Sequence, residues 1–163
     1  THRVLAKLEE IGKLDAIVTQ NIDGLHQLAG SKCVYEIHGT THKNYCASCG
    51  ERVGENYIFE TTGIPRCPKC GGMIRPQVTL YEEGLPEDAV RGAVDAIRKA
   101  DTLIVAGTSL NVYPAASYVY EFQGNHLIVL NKEPLHVQLN QEKDLFIEAA
   151  MGQVFVALED ALF

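Results

Sequence analysis

Short apolar runs alternate with segments in which apolar residues recur at helical spacing along most of the chain. The first helical segment carries Val4, Leu5, Leu8 and Ile11 and ends at Gly12. Strands are expected at residues 14–19, 33–37, 102–106, 127–130 and 145–147, and further helices at residues 86–100 and 154–162. The runs at 102–106 and 127–130 are apolar on both faces, which is typical of parallel strands covered by helices. The alternation therefore predicts an α/β fold with a doubly wound parallel sheet.

Residues 40 to 73 differ in composition from the rest of the chain, since Cys, Gly, Pro, Lys, Asn and Arg dominate and long apolar runs are lacking. Such a segment buries too little apolar surface to be held by a core of its own. We therefore predict an inserted module at residues 40–73. Residues 1–39 and 74–163 would form the domain around it.

Four of the five cysteines form two Cys-x-x-Cys pairs, Cys46 with Cys49 and Cys67 with Cys70, separated by residues 50–66. This spacing is typical of zinc ribbons, in which four thiolates complete a tetrahedron and leave no position for water or substrate. The sequence thus predicts a structural Zn²⁺ ion in a small zinc-ribbon module. Reduced cysteines without metal and a redox pair are the alternatives. Cys33 is expected to be a small core residue.

Composition narrows the classes of partner. The chain has 14 Lys and Arg against 21 Asp and Glu, a net charge of −7. This argues against a nucleic-acid partner, because proteins that bind the phosphate backbone present a basic patch. No apolar run approaches the length of about 18 residues that a membrane span needs, so no membrane partner is expected. The start carries no secretory signal, and with the paired cysteines this favours the cytoplasm.

Polar residues follow three predicted strands at their carboxyl ends, where ligands bind in doubly wound sheets. They are Gln20, Asn21 and Asp23 after the first strand, Gly107, Thr108 and Ser109 after the strand at 102–106, and Asn131 after the strand at 127–130. Taken one at a time, such residues are also typical of ordinary Asx turns and helix caps.

Several motifs follow one another in order: TQNIDGLH at residues 19–26, EIHG at 36–39, the two cysteine pairs, GTSL at 107–110 and then Asn131. Together they resemble the sirtuins, the NAD-dependent protein lysine deacylases, over essentially the whole chain. The resemblance implies a Rossmann-like NAD-binding domain around the zinc ribbon. It also implies NAD and Zn²⁺ as cofactors, and the acylated lysine of a protein as substrate.

The resemblance implies roles for residues at the first strand end. His38 matches the general base of the family, which deprotonates a hydroxyl of the nicotinamide ribose after the acyl oxygen has attacked that sugar. Imidazole suits this work because its ordinary pKa is close to neutral. Asn21 and Asp23 match residues of the nicotinamide pocket, and Gln20 matches one near its ribose. The products would be nicotinamide, O-acyl-ADP-ribose and the free lysine.

Two further groups of residues match functional segments of the family. Gly107, Thr108 and Ser109 match the turn that receives NAD, and Asn131 and Lys132 match positions near the adenosine ribose. Residues 78–83 match the segment that pairs with the substrate peptide by strand addition. Within that segment, substrate contacts are expected from Val78, Leu80, Tyr81 and Glu83.

The chain departs from the family pattern in two places. Tyr81-Glu82-Glu83 stands where the family usually has Phe-Gly-Glu, so Glu82 adds a charge near the peptide groove and bears on substrate preference. The glycine-rich GAG turn and the cofactor loop carrying Asp, Phe and Arg do not occur in these residues. We therefore expect the first strand of the sheet and much of the NAD site to be disordered, cleaved off or on another chain. This polypeptide alone is expected to be inactive.

Two other functions stay open at this stage. One is a protein ADP-ribosyltransferase of the same fold, and the other is a non-catalytic zinc-ribbon binding module. The presence of Gln20, Asn21, Asp23 and His38 favours an enzyme, and His38 favours deacylation. The preferred acyl group, the protein substrate and the oligomeric state are not indicated.

Overall fold

Helices and strands alternate in the computed structural model, which describes residues 1–135 and 138–163. The helices are α1 (His2–Glu10), α2 (Leu25–Leu28), α3 (Glu55–Glu60), α4 (Glu87–Lys99) and α5 (Met151–Leu162), with a 3₁₀ helix at Ala115–Glu121. The strands are β1 (Ile17–Thr19), β2 (Val34–Glu36), β3 (Gly39–Cys46), β4 (Arg52–Val53), β5 (Ile74–Val78), β6 (Thr102–Ala106), β7 (His126–Asn131) and β8 (Leu145–Glu148). The α/β class predicted from the apolar pattern is confirmed.

Two parallel sheets carry the strands predicted from apolar runs. Strands β1 and β2 pair with Ile17 opposite Val34. Strands β6, β7 and β8 pair in that order, with Val105 opposite Val129. Within residues 1–135 and 138–163 no backbone ladder joins these two sheets. Ile104 on β6 is 41% exposed, so this strand is not covered on both faces in the described part of the chain.

A third sheet is antiparallel, has the order β4–β3–β5 and runs from Gly39 to Val78. Gly39 lies opposite Val78 at one end, and Cys46 lies opposite Ile74 at the other. Gly39 has a φ of +78°, and a Cβ at this position would lie 2.0 Å from the carbonyl oxygen of Gln77. Only glycine fits this approach of the two strands.

Apolar clusters hold the layers together. Helix α1 packs on α5 through Val4, Leu8 and Phe155. Two further clusters lie between elements: Ile37, Ala93 and Ala115 around α4, and Val105, Leu127 and Val129 under the β6–β7 pair. Helix α4 has acidic residues in its first turn and basic residues in its last, which complements the helix dipole.

Some elements differ from the expectations. Strand β1 covers only the last three residues of the 14–19 run, and β5 ends at Val78, so residues 79–83 form a turn. Helix α2 and the 3₁₀ helix are too short to show a hydrophobic period in the sequence. None of the described helices combines the length and apolar character needed to cross a membrane.

Candidate active site and metal centre

The start of β3 and the residues just before it supply hydrogen-bond donors to the turn after β1. The N–H of Ile37 donates to the carbonyl oxygen of Thr19 at 3.1 Å. The N–H and the hydroxyl of Thr41 both donate to the carbonyl oxygen of Ile22, at 3.1 and 3.0 Å. These bonds fix the turn backbone on both sides of Asn21. The arrangement brings together four residues singled out in the sequence: Gln20, Asn21, Asp23 and His38.

His38 is half-buried beside this turn, and its Nδ1 lies 3.1 Å from the carbonyl oxygen of Gln20. A carbonyl oxygen can only accept, so the hydrogen bond requires the proton to be on Nδ1. The neutral ring then carries its lone pair on Nε2, for which no hydrogen bond is found within the described residues. The main chain of Gln20 therefore selects the tautomer in which Nε2 can take up a proton.

Asn21 and Asp23 are exposed on the same turn. The N–H of Asn21 donates to the hydroxyl of Thr19 at 3.1 Å. One carboxylate oxygen of Asp23 accepts the N–H of Leu25 at 3.0 Å and so forms an Asx turn just before α2. This hydrogen bond is the one that an ordinary Asx turn forms, and it needs no ligand. It leaves the amide of Asn21 and the other oxygen of Asp23 available to a ligand.

A second group of predicted residues lines a cleft of about 500 Å³ at the carboxyl ends of β6 and β7. The members singled out in the sequence are Gly107, Thr108, Ser109, Asn131 and Lys132. Gly107 has a φ of +61°, and its N–H donates to the carbonyl oxygen of Leu130 at 3.0 Å. The amide nitrogen of Asn131 donates to the carbonyl oxygen of Glu133 at 2.9 Å. Hydroxyls, a glycine turn and a cation suit a phosphate-bearing ligand. The four residues of the first turn do not line this cleft.

The segment after β5 is held in place by hydrogen bonds to Arg75 on that strand. The guanidinium of Arg75 donates to both carboxylate oxygens of Glu83, at 2.7 and 2.9 Å, and to the carbonyl oxygen of Val78 at 3.0 Å. Glu83 also accepts the N–H of Leu80 at 2.9 Å. The Arg75 guanidinium, helped by this N–H, lowers the pKa of Glu83 to about 2. Tyr81 is 99% exposed. Glu83 thus has internal partners, whereas Tyr81 faces solvent.

The four paired cysteines meet at the far end of β3 and β5. Their sulfur atoms all lie within 4.8 Å of one another. Cys46 and Cys70 are 3.5 Å apart, and Cys49 and Cys67 are 3.7 Å apart. A tetrahedral zinc site with Zn–S bonds of about 2.3 Å spaces its sulfurs by about 3.8 Å. The cluster therefore fits Zn²⁺, and the zinc ribbon predicted from the spacing has the donor set it needs.

Hydrogen bonds within the cluster lower the pKa of Cys46 and raise that of Cys70, so they favour the thiolate at Cys46. Burial alone would raise the pKa of this thiol, but the main-chain N–H groups of Cys49 and Ser48 lower its pKa to about 6. The thiolate is the form that binds zinc. Cys33 lies apart from this cluster, in the segment just before β2.

Two residues of this region were not singled out by the sequence, His42 and Arg75. The ring of His42 contacts both the carbonyl of Asp23 and the carboxylate of Glu55. Arg75 pairs with Glu83, eight residues further along the chain. A histidine or an arginine in a polar stretch has no period or spacing that marks it. The partners become evident only once β3 and β5 are paired.

The Sir2 family model matches residues 1–114 of the chain. An NAD-dependent protein deacetylase of Clostridium perfringens is 54% identical over 154 residues, covering 94% of this chain and 62% of the relative. A protein of the same name from Cutibacterium acnes is 47% identical over 161 residues, covering 99% of this chain and 65% of the relative. The chain thus spans a little under two thirds of the length of these relatives.

Solved structures agree with the sequence relatives. A Sir2 structure with a p53 peptide and NAD⁺ matches with a TM-score of 0.87 and 36% identity, covering 98% of this chain and 68% of that chain. Sir2 bound to an acetylated peptide matches with a TM-score of 0.86 and 35% identity, covering 98% of this chain and 68% of that chain. The family match over residues 1–114, the sequence relatives and these structures lead to one conclusion: the chain belongs to the Sir2 family.

Proposed function

We propose that the protein is an NAD-dependent protein lysine deacylase. Its products would be nicotinamide, O-acyl-ADP-ribose and the deacylated lysine. The name shared by the curated relatives and the NAD⁺ and acetylated peptide in related structures support this assignment. The observation that carries it is the position of His38, whose Nδ1 is bonded to the carbonyl of Gln20 so that Nε2 can act as a base.

NAD would supply the ADP-ribose group that accepts the acyl oxygen. We assign its nicotinamide end to the turn with Gln20, Asn21 and Asp23, and its adenosine end to the cleft at the ends of β6 and β7. In the cleft, Thr108 and Ser109 would donate to phosphate oxygens, Gly107 would allow close approach of the backbone, and Asn131 and Lys132 would contact the ribose. His38 would take the proton of a ribose hydroxyl on Nε2.

The peptide substrate would lie along residues 78–83. Val78, Leu80 and Tyr81 would contact it, and the full exposure of Tyr81 suits a wall for an acyl-lysine side chain. Glu83 would act through Arg75 as a brace for this segment. The partner is the acylated lysine of another protein. We propose no nucleic-acid or membrane partner and a location in the cytoplasm.

The module at residues 40–73 would hold Zn²⁺ in a structural role through Cys46, Cys49, Cys67 and Cys70. Residues 1–39 and 74–163 would form the NAD-binding domain around it. Four thiolates complete the coordination of zinc, so the ion would stabilise β3 and β5 without contacting substrate.

Replacing the proposed base tests this function. In the full-length protein, His38→Ala should lower the rate at which deacylated lysine and O-acyl-ADP-ribose form at least about a hundredfold, because general-base catalysis of this kind contributes about 10² to 10⁴. Mass spectrometry would follow nicotinamide, O-acyl-ADP-ribose and the peptide. Zinc content should stay unchanged, since His38 is not among the clustered cysteines.

A matched control is His126→Ala at the exposed first residue of β7, at the other end of that strand from Asn131. It should keep full activity. Wild-type turnover in His38→Ala would rule out the base assignment. Transfer of ADP-ribose to protein without release of free lysine would contradict deacylation.

A further inference from the structure

The imidazole of His42 joins the turn after β1 to the cysteine-rich module. His42 lies on β3, and its Nε2 is 3.0 Å from the carbonyl oxygen of Asp23. Its Nδ1 is bonded to the carboxylate of Glu55, in the first turn of α3. The side chains of His42 and Glu55 are 50% and 38% exposed, so each is partly shielded from water.

The two partners of this ring determine its protonation. A main-chain carbonyl and an ionised carboxylate both accept hydrogen bonds and cannot donate them. Both ring nitrogens must therefore donate, and an imidazole with two N–H groups is the imidazolium cation. The neutral ring would have to give up one of the two bonds.

The charges around the ring agree with this protonation state. The hydrogen bond to Asp23 raises the pKa of His42 most, burial opposes it, and the carboxylates of Glu55 on α3 and Glu36 on β2 raise it further. The carboxylate of Asp23 itself accepts the N–H of Leu25. The imidazolium form therefore persists at pH values above 6.5, the ordinary pKa of histidine.

The turn lies directly against the ring. Gly24 has a φ of +65°, and a Cβ built on it would lie 2.3 Å from Nε2 of His42. A side chain at position 24 would displace the imidazole. The ring therefore fixes the position of the Asp23–Gly24 backbone both by packing against Gly24 and by donating to the carbonyl oxygen of Asp23.

We propose that His42, as an imidazolium, is a positioning residue that holds the turn carrying Asn21 and Asp23 to Glu55 of the cysteine-rich module. The inference rests on the proposed function in that this turn would form the nicotinamide end of the NAD site. The tie is complete below the pKa of His42, as long as Glu55 is ionised, and is lost as the pH rises through the pKa of His42. NAD affinity should fall over the same range.

The first test follows the ring itself and needs no NAD. Nitrogen-15 NMR of the histidine rings in the zinc-loaded full-length protein should give His42 a pKa above 6.5, and Glu55→Gln should lower it. The amide signals of Asp23 and Gly24 should titrate with the same midpoint. His126, bonded to the carbonyl of Lys143, is the control whose ring nitrogen signals should not change in Glu55→Gln. A His42 pKa at or below 6.5, or one that Glu55→Gln leaves unchanged, overturns the tie.

The second test measures the dissociation constant of NAD by calorimetry at about pH 6 and about pH 9, on either side of the His42 titration. In the wild type it should rise about three- to tenfold across this range, the effect of losing one hydrogen bond of ordinary strength, because the His42 ring is half exposed to water. His42→Gln keeps a donor for the Asp23 carbonyl but does not titrate, so its affinity should change less with pH. His42→Ala should bind weakly at both values, and His126→Gln should behave as the wild type.

These outcomes separate the two proposals. The same pH dependence of NAD affinity in His42→Gln as in the wild type overturns the positioning role. If the wild type binds no NAD at either pH, the proposed function fails, and the NMR titration alone decides whether His42 ties the turn to Glu55.

Discussion

Glu82 has a φ of +70°, in the left-handed region where a side chain crowds its own backbone. The residue is exposed, and no hydrogen bond or ion pair is found for its carboxylate in the described residues. Glu82→Gly should stabilise the protein by about 0.5 to 1 kcal/mol, the strain relieved less the extra entropy of glycine in the unfolded chain. Urea unfolding would measure the change.

Glu82→Ala is the matched control for this strain, since it removes the same carboxylate but keeps the Cβ. It should give no such gain. Equal effects of alanine and glycine would mean that the charge, rather than the backbone, determines the stability at this position.

At the scale of single residues, the sequence indicates residue types better than contacts. His38, Asn21 and Asp23 stand in a motif, so their place at a strand end was predictable. The contact of His38 with the carbonyl of Gln20, which selects its tautomer, could not be predicted, because every residue has a main-chain carbonyl and the sequence does not show which one a side chain reaches. The contacts of Arg75 and His42 could not be predicted for a similar reason, since their partners depend on how β3, β5 and α3 are placed.

Among the elements, β3 has candidate site residues at both of its ends. His38 immediately precedes it, and Cys46 is its last residue. Its ladder with β5 pairs Gly39 with Val78 at one end and Cys46 with Ile74 at the end that carries the cysteine cluster. Loss of metal should therefore release the ladder from the Cys46 end.

Removal of zinc by a chelator should mainly unfold residues 40–73. Hydrogen exchange would show faster exchange at the amides of Cys46, Ala47 and Ile74, whose bonds close this end of the sheet. The amides of β6 and β7 should keep their protection, which provides an internal control. Purified protein with no zinc and four titratable thiols would contradict the metal assignment.

The elements also differ in how far they could be predicted. Strands β6 and β7 are apolar runs and stand out in the sequence. Strand β3 reads Gly-Thr-Thr-His-Lys-Asn-Tyr-Cys, without apolar alternation, because it is held by its partners and the cysteine cluster more than by a buried face. Composition predicted an insert at residues 40–73 but could not indicate that β3 pairs with β5, which lies beyond it.

Across the whole molecule, the first and last helices share one core. Phe155 on α5 is 3% exposed and packs with Val4 and Leu8 of α1. Phe155→Ala should destabilise the protein by about 3 to 5 kcal/mol, the usual cost of emptying such a site. Val156→Ala, at a neighbour that is 56% exposed, should change stability by less than about 0.5 kcal/mol.

Urea unfolding of both variants measures this difference. A small effect of Phe155→Ala would mean that α1 and α5 do not stabilise each other. The helical periods of both segments were visible in the sequence, but their contact was not, because they stand at opposite ends of the chain and nothing local connects them.

The brace between Arg75 and Glu83 has a further thermodynamic consequence. A peptide that binds to a mobile loop must order it, at a cost of about 1 to 2 kcal/mol for each residue whose backbone is fixed. Here the bonds from Arg75 to Val78 and Glu83, and from Leu80 to Glu83, order the segment before any peptide arrives. Binding of the proposed peptide substrate to residues 78–83 should then carry only a small entropic penalty from this segment.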